Sequence, residues 1–321
     1  NYRFWMNAED RPMFSKDIVK QYVKPILEQD KNVCLLVVDC MRHDHFKAMM
    51  PLLEQFYTID LNYMFSLLPT ATPYSRNAIF SGMYPDEMVS TYPKQASDME
   101  EDAPSLNRHE KQFLLDQLET LGLGHKSMHY HKIWAVQEGK KFQNRIKDYA
   151  QQDLLALVVN FVDILAHKSS QMDVLKEMVP DESGYRTAVR SWLEHSWLLQ
   201  VLKRLSENGW SVIMTSDHGS IRVQKDVMVA ADRNASSGVR YKFGRNLNTN
   251  EKNALIIKEP GHYRLPVFGP QPSYIIAKDE NYFVYPNEAH KYQAKFKNSF
   301  QHGGISMEEM MVPVAVMKGR G

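Results

Sequence analysis

Two cysteines, Cys34 and Cys40, are too few to staple a chain of 321 residues. Both flank one apolar run, which excludes a disulfide-built scaffold and predicts a reduced, cytoplasmic setting. Long apolar runs are missing too. The clearest, Val33 to Val38 and Leu154 to Val159, fall far short of the roughly 18 residues of a membrane span, so no membrane partner is expected. Nothing at the N-terminus reads as a signal peptide. Charge of one sign is also lacking: Lys+Arg 39 against Asp+Glu 38 gives net +1, which argues against bulk electrostatic binding of long nucleic acid while leaving room for a local basic patch. There is no internal repeat, no low-complexity linker and no initiator methionine; the opening on Asn1 is what a fragment of a longer protein would show. What is present, 43% hydrophobic and 24% charged residues, suits one large folded core.

Short continuous apolar runs alternate with helical patterns, the reading for a buried parallel sheet covered by helices. The expected fold is α/β, a three-layer α/β/α sandwich around a mostly parallel sheet, formed as a single domain over 1–321. Strands are expected at 32–38, 153–161, 210–216 and 311–317, with Pro313 suggesting an edge or strand-start position for the last. Helices are expected at 15–29, 41–55, 73–81, 107–121, 185–207 and 287–298. Residues 84–109 and 232–272 are expected as loop excursions over the site. Residues 93–119 carry a net −4 and read as solvated surface. Residues 219–260 carry a net +4; they are either surface or a stretch that steers an anionic substrate.

Ligands bind beyond the carboxyl ends of strands in open α/β sheets. Reading those ends gives Asp39 after the first strand, Asp163 with His167 after the second, and Asp217-His218-Gly219 after the third. His302-Gly303-Gly304 lies just before the last. Carboxylate and imidazole together are metal-ligand chemistry. Singly, each has an ordinary alternative: Asp39 as a helix cap, Asp163 and His167 as an i, i+4 surface pair, Asp-His-Gly as a turn. Together they make six ligands, the number two metals need. The segment Pro69 to Pro85 adds a hydroxyl nucleophile. Pro73 suits a first helical position, which makes Thr72 the N-cap at the positive end of the helix dipole, where an alkoxide or phosphate is favoured. Thr72 is either a plain cap or the nucleophile, and Thr70 is the rival hydroxyl.

The set Asp39, Thr72, Asp163-x-x-x-His167, Thr215-Ser-Asp-His-Gly219 and His302-Gly-Gly resembles the alkaline phosphatase superfamily. Val38-Asp-Cys-Met-Arg-His-Asp44, Ser75-Arg-Asn-Ala-Ile-Phe-Ser-Gly82 and His302-Gly-Gly-Ile-Ser-Met-Glu-Glu-Met-Met-Val-Pro313 look like its PglZ branch, and within that the output domain of PorX-type response regulators of type IX secretion. The resemblance spans about 33–317. It implies two zinc ions, one held by Asp163, His167 and His302 and the other by Asp39, Asp217 and His218. Ligand type alone does not separate zinc from manganese, though three histidines lean towards zinc. It also implies Thr72 as nucleophile, ten residues before Gly82 as in the family. Sulfatases of the superfamily carry Cys or Ser at that place, so a sulfatase is disfavoured.

Arg76, one turn along the same helix, either reaches a phosphate oxygen or is an exposed helix arginine. Arg42 and Asp44 are expected to orient ligands or hold their loop. Surface or packing roles are expected for His43 and His45, and a half-buried strand for His129 and His131. Arg240-Tyr-Lys-Phe-Gly-Arg245 interleaves cations with aromatics: Arg240, Lys242 and Arg245 contact substrate, or they decorate an ordinary hairpin.

The resemblance implies a zinc-dependent phosphodiesterase acting on short linear or cyclic oligonucleotides. The implied context is an output domain preceded by a receiver domain, with a sensor kinase and a sigma factor as partners and a homodimer left open. The alternatives are a phosphomonoesterase or phosphomutase of the same superfamily, and a zinc-stapled regulatory interaction module without turnover.

Overall fold

The computed structural model describes all residues except 96–107, 170–171, 231–235, 237, 269–271 and 321; much of the acidic stretch therefore lies outside the described residues. The centre is a six-stranded sheet in the order Tyr57–Phe65, Met311–Gly319, Ser211–Thr215, Val33–Val38, Leu154–Val159, Met128–Ile133. Val33–Val38 runs parallel to both its neighbours, and Met128–Ile133 is parallel to Leu154–Val159. Met311–Gly319 is antiparallel to both its neighbours, Tyr57–Phe65 and Ser211–Thr215.

Every residue of Val33–Val38 and Leu154–Val159 is buried, because helices cover both faces and leave no polar side to alternate with. Cys34, Leu36, Val38, Leu155 and Leu157 pack on one face against Phe46, Met49, Val189, Leu198 and Val201, from helices His43–Leu53, Glu182–His195 and Trp197–Glu207. Val33, Leu35, Val37, Ala156 and Val158 pack on the other against Val19, Val23, Ile79, Phe80 and Leu114. This is the three-layer α/β/α arrangement.

Several expectations change in detail. The helix expected at 185–207 is two helices, because Ser196 is extended and its hydroxyl accepts from the Leu198 N–H. The stretch expected as one helix from 15 is a 3-10 turn, a π-helical turn and a short α-helix around Pro25. Met311–Gly319 is interior to the sheet and no edge. Pro313 is tolerated there because the ladder to Ser211–Thr215 starts one residue later, at Val314, so its missing N–H falls outside that ladder. The Tyr57–Phe65 edge strand was not expected; Asp60 and Asn62 break any apolar run in it.

The 232–272 excursion is more than loop. Tyr241–Gly244 and Ala254–Ile257 both pair with Ser273–Ala277 in a small antiparallel sheet. The two excursions are joined by Arg264, whose guanidinium binds Asp86 and Glu87 and lies over the Tyr84 ring. Among the described residues no helix is long and apolar enough to cross a membrane, and Cys34 and Cys40 are free and buried.

The Asp-His-Gly turn fits tightly under the chain that enters the last strand. The Gly219 N–H donates to the Glu309 carbonyl, and a Cβ on Gly219 would lie 1.9 Å from the Glu308 carbonyl oxygen. Gly219→Ala is expected to destabilise the fold by about 1–3 kcal/mol through overpacking. Urea unfolding checks this, and an unchanged midpoint contradicts it.

Candidate metal centre and nucleophile

The carboxyl ends of the three central strands and the loop before Met311–Gly319 meet at one end of the sheet. There the structure brings together all six predicted ligands in two groups, Asp39, Asp217 and His218, and Asp163, His167 and His302. Asp39 directly follows Val33–Val38. The next residue, Cys40, takes φ 65°, a left-handed conformation that non-glycine residues rarely adopt. Its N–H donates to Asp217 Oδ1 at 3.3 Å, and the His218 N–H donates to the same oxygen at 3.1 Å. Asp217 is thus pinned by one oxygen and offers the other.

Asp39 is treated likewise. Its Oδ2 accepts from Arg76 at 2.6 Å and from the Asn160 amide at 3.0 Å. The remaining oxygens, Asp39 Oδ1 and Asp217 Oδ2, are buried without a hydrogen-bond partner among the described residues. They lie 3.8 and 3.7 Å from His218 Nε2. An Nδ1–H on His218 donating to the Gly219 carbonyl at 3.0 Å leaves Nε2 as a lone-pair donor to the same point, the usual way a ligating imidazole is oriented.

The second group is more open. Asp163 and His167 sit one turn apart on helix Phe161–Ser169, with His167 Nε2 3.2 Å from Asp163 Oδ1. His302 Nε2 is 3.2 Å from His167 Nε2 and 3.6 Å from Asp163 Oδ1. Four ligands about 2.0–2.1 Å from a zinc ion stand about 3.3 Å from one another, so this spacing fits a metal. Unpartnered carboxylate oxygens converging on imidazole nitrogens fit one as well. The chain's residues can therefore hold two cations.

The loop of His302 is shaped from several sides. Thr70 Oγ1 donates to the Gly304 carbonyl and accepts from the Gly303 N–H. Gly303 takes φ 111°, and a Cβ on Gly304 would meet the Arg240 guanidinium at 2.2 Å. Thr70, the rival hydroxyl, is thereby buried and engaged. Thr72 is only partly buried, and among the described residues its hydroxyl is hydrogen-bonded to His218 alone. Helix Thr72–Ser81 is capped by Ala71, so Thr72 is its first residue and not its cap, and the Tyr74 and Ser75 N–H groups bond the Ala71 carbonyl instead. Every residue of that helix except Thr72 is buried. The freed Thr72 hydroxyl lies 3.0 Å from His218 Nε2.

The other candidates fall elsewhere. Arg76 is neither exposed nor turned to solvent-borne phosphate. It is buried, with Nη1 on Asp39 and Nε on Glu110 at 2.8 Å. Arg240 and Lys242, read either as substrate contacts or as cations on an ordinary hairpin, are both buried. Arg240 pairs with Glu309 and the Asn281 carbonyl, while the Lys242 ammonium bonds the Ser236 carbonyl and covers the Tyr285 ring. The reason lies in the small sheet, which turns these cations inward. Arg245 is exposed. Arg42 binds Asp44 and Glu182 and reaches the Ser220 carbonyl, so with Asp44 it holds the Asp217–Gly219 turn. His45 is buried, accepts from the Arg42 N–H and packs on Tyr185. His43 is partly exposed on the same helix. His129 stacks on Tyr149 and His131 packs at a tilt against Phe142, a packing role on the edge strand. Sequence reading missed Asn160, Glu110 and Glu309; only Asn160, directly after a strand, carried a positional signal.

Charge follows burial. Burial pushes the Asp39 carboxyl up to about 7 against the pull of Arg76, and raises Asp217 in the same way. Burial also lowers His218, and lowers His302 strongly with help from its neighbouring histidines, favouring the neutral imidazole that ligates metals. Burial would raise Asp163, but the hydrogen bond and charge of His167 outweigh it and hold it below the usual carboxylate range.

A carboxyl that keeps its proton to about pH 7 must release it to ligate. Zinc affinity is therefore expected to rise from pH 6 to pH 8 and then level off, with proton release on binding fading above pH 8. Calorimetry in buffers of different ionisation enthalpy measures this; a pH-independent affinity contradicts it. Asp217→Ala is expected to lose one equivalent of metal together with stability, and unchanged zinc stoichiometry counts against that ligand.

The comparisons with known proteins agree with this architecture. The mouse ectonucleotide pyrophosphatase/phosphodiesterase 5 structure is similar at 14% identity and a TM-score of 0.58, over 89% of this chain and 88% of that one. The human protein of the same name is similar at 10% identity and a TM-score of 0.58, over 89% and 87%. At such identities the likeness is one of fold. No curated protein matches the sequence. The sequence model of the BREX system PglZ alkaline phosphatase-like domain matches residues 18–317, and with nearly the whole length covered the chain belongs to that family.

Proposed function

We propose that the chain is a zinc-dependent phosphodiesterase that uses Thr72 as its nucleophile and takes short linear or cyclic oligonucleotides as substrates. The observation that carries this is the placement of the Thr72 hydroxyl. It is released from helix capping, is the one residue of its helix that is not buried, and lies 3.0 Å from a ligand nitrogen of the Asp39–Asp217–His218 group. Asp39, Asp217 and His218 would hold one cation and Asp163, His167 and His302 the other. When bound, such a pair supplies Lewis-acid charge to a hydroxyl and to a leaving oxygen.

Thr72 Oγ1, having given up its proton to solvent, attacks phosphorus. The Oγ–P bond forms as the P–O bond to the leaving group breaks, and the departing alkoxide takes a proton from water. The N-terminal end of helix Thr72–Ser81 favours the alkoxide. Water then attacks the phosphothreonine ester, restoring the hydroxyl and releasing the phosphate product. Diester preference is supported by Arg76. The cation nearest to Thr72 in sequence is bound to carboxylates and does not stand ready to clamp the extra oxygen of a monoester. The names of the structural neighbours point the same way.

The resemblance to PorX-type output domains extends the proposal to a response regulator of type IX secretion. In that setting a receiver domain precedes this region, a sensor kinase acts upstream, and a sigma factor is a partner. Co-purification of the sigma factor with the full-length protein tests that extension, and its absence under phosphorylating conditions counts against it.

Zinc-loaded protein is expected to cleave bis-(p-nitrophenyl) phosphate faster than p-nitrophenyl phosphate, and to stop when a chelator is added. Monoester preference would favour the phosphomonoesterase or phosphomutase reading. Full zinc occupancy without turnover of either substrate would favour the interaction module. Thr72→Ala is expected to lower turnover by about 10³-fold or more while retaining both metals; persisting activity would exclude Thr72 as nucleophile.

A further inference from the structure

Arg76 and Glu110 belong to no ligand group, yet they form a buried charged chain that ends on one. Glu110 opens helix Glu110–Thr120 and is wholly buried. Its Oε1 accepts from Arg76 Nε at 2.8 Å. Its Oε2 is bonded to the Tyr130 hydroxyl and stands 3.5 Å from Lys132 Nζ, both on the edge strand Met128–Ile133. The far side of the same guanidinium holds Asp39 Oδ2 at 2.6 Å and stands 3.8 Å from Asp217 Oδ2. The planar fork is fixed at both ends, so Asp39 has one orientation: Oδ2 on Arg76, Oδ1 towards His218 Nε2.

We propose that Arg76 and Glu110 are positioning residues for the Asp39–Asp217–His218 metal site, with Glu110 aiming the guanidinium and the guanidinium aiming Asp39. The chemistry fits the roles. A guanidinium offers donors in two directions in one rigid plane, which a lysine ammonium does not. A carboxylate fixed by a neighbour binds metal more tightly than a loose one. The second group, Asp163, His167 and His302, is held by contacts of its own and meets the first through the stacked His218 and His302 rings, so the larger effect is expected at the Asp39 site, where the guanidinium touches a group member directly. The proposal rests on the reading of these residues as metal ligands.

The test is zinc titration of the metal-stripped full chain against a chromophoric competing chelator. Wild type is expected to bind two equivalents; failure to do so overturns the metal reading itself and this proposal with it. Glu110→Gln is expected to weaken one equivalent about 10–100-fold and leave the other within about twofold. Arg76→Lys is expected to weaken the same equivalent. The site is identified in a His218→Ala background, where one equivalent remains and Glu110→Gln is expected to have no further effect. A general structural role would weaken both equivalents in parallel. That result overturns the proposal, as does a folded Glu110→Gln protein that binds both equivalents like wild type. If Glu110→Gln does not fold, Tyr130→Phe removes a single partner of Glu110 and is expected to weaken the same equivalent about threefold; no change there also overturns the proposal.

Discussion

A guanidinium buried among carboxylates sets the conditions for everything at this end of the sheet. Arg76 touches Asp39 and Glu110 and stands near Asp217, where water does not compensate charge. Removing one partner of such a buried pair typically costs about 3–5 kcal/mol, so the arrangement is rigid. Two built-in cations, Arg76 and Lys132, face the three carboxyls of Asp39, Asp217 and Glu110, which leaves the centre short of positive charge, and burial holds Asp39 and Asp217 above their ordinary values. A site of this kind attracts divalent cations because its own residues have not neutralised it.

The same economy of geometry recurs around the centre. Asp39 and Asp217 are each anchored by one oxygen and present the other, the first through side chains and the second through backbone N–H groups. Thr70 and Thr72, two residues apart, divide the labour: one is consumed in holding the His302 loop and the other is left to face His218. Arg240 and Glu309 form a buried pair beneath Gly304, so the small sheet helps shape the loop that carries the candidate ligand His302.

Much of this was legible in the sequence, for identifiable reasons. The central strands are continuous apolar runs because both faces are covered, and ligands of open α/β sheets bind beyond the carboxyl ends of the strands, where the Asp and His residues cluster. All six residues of the two candidate groups were named that way. Their partners were not, since nothing in the spelling of Glu110 or Glu309 says that it will be buried beside an arginine 34 or 69 residues away. The burial of Arg76, Arg240 and Lys242 was not legible, for one common reason. Arginine and lysine are mostly exposed, and a sequence does not reveal the buried acceptors that override that tendency here. The Tyr57–Phe65 strand escaped notice because an edge strand needs only one buried face and this one carries polar residues.

The most direct test of the account is to quench the zinc-loaded chain with acid during turnover of a phosphodiester and map any covalent adduct by mass spectrometry. The account predicts a phosphoryl ester on the peptide bearing Thr72, at the hydroxyl and not at Thr70, and its absence when metal is removed. An adduct on another residue, or steady turnover with no adduct at any quench time, would contradict Thr72 as the nucleophile.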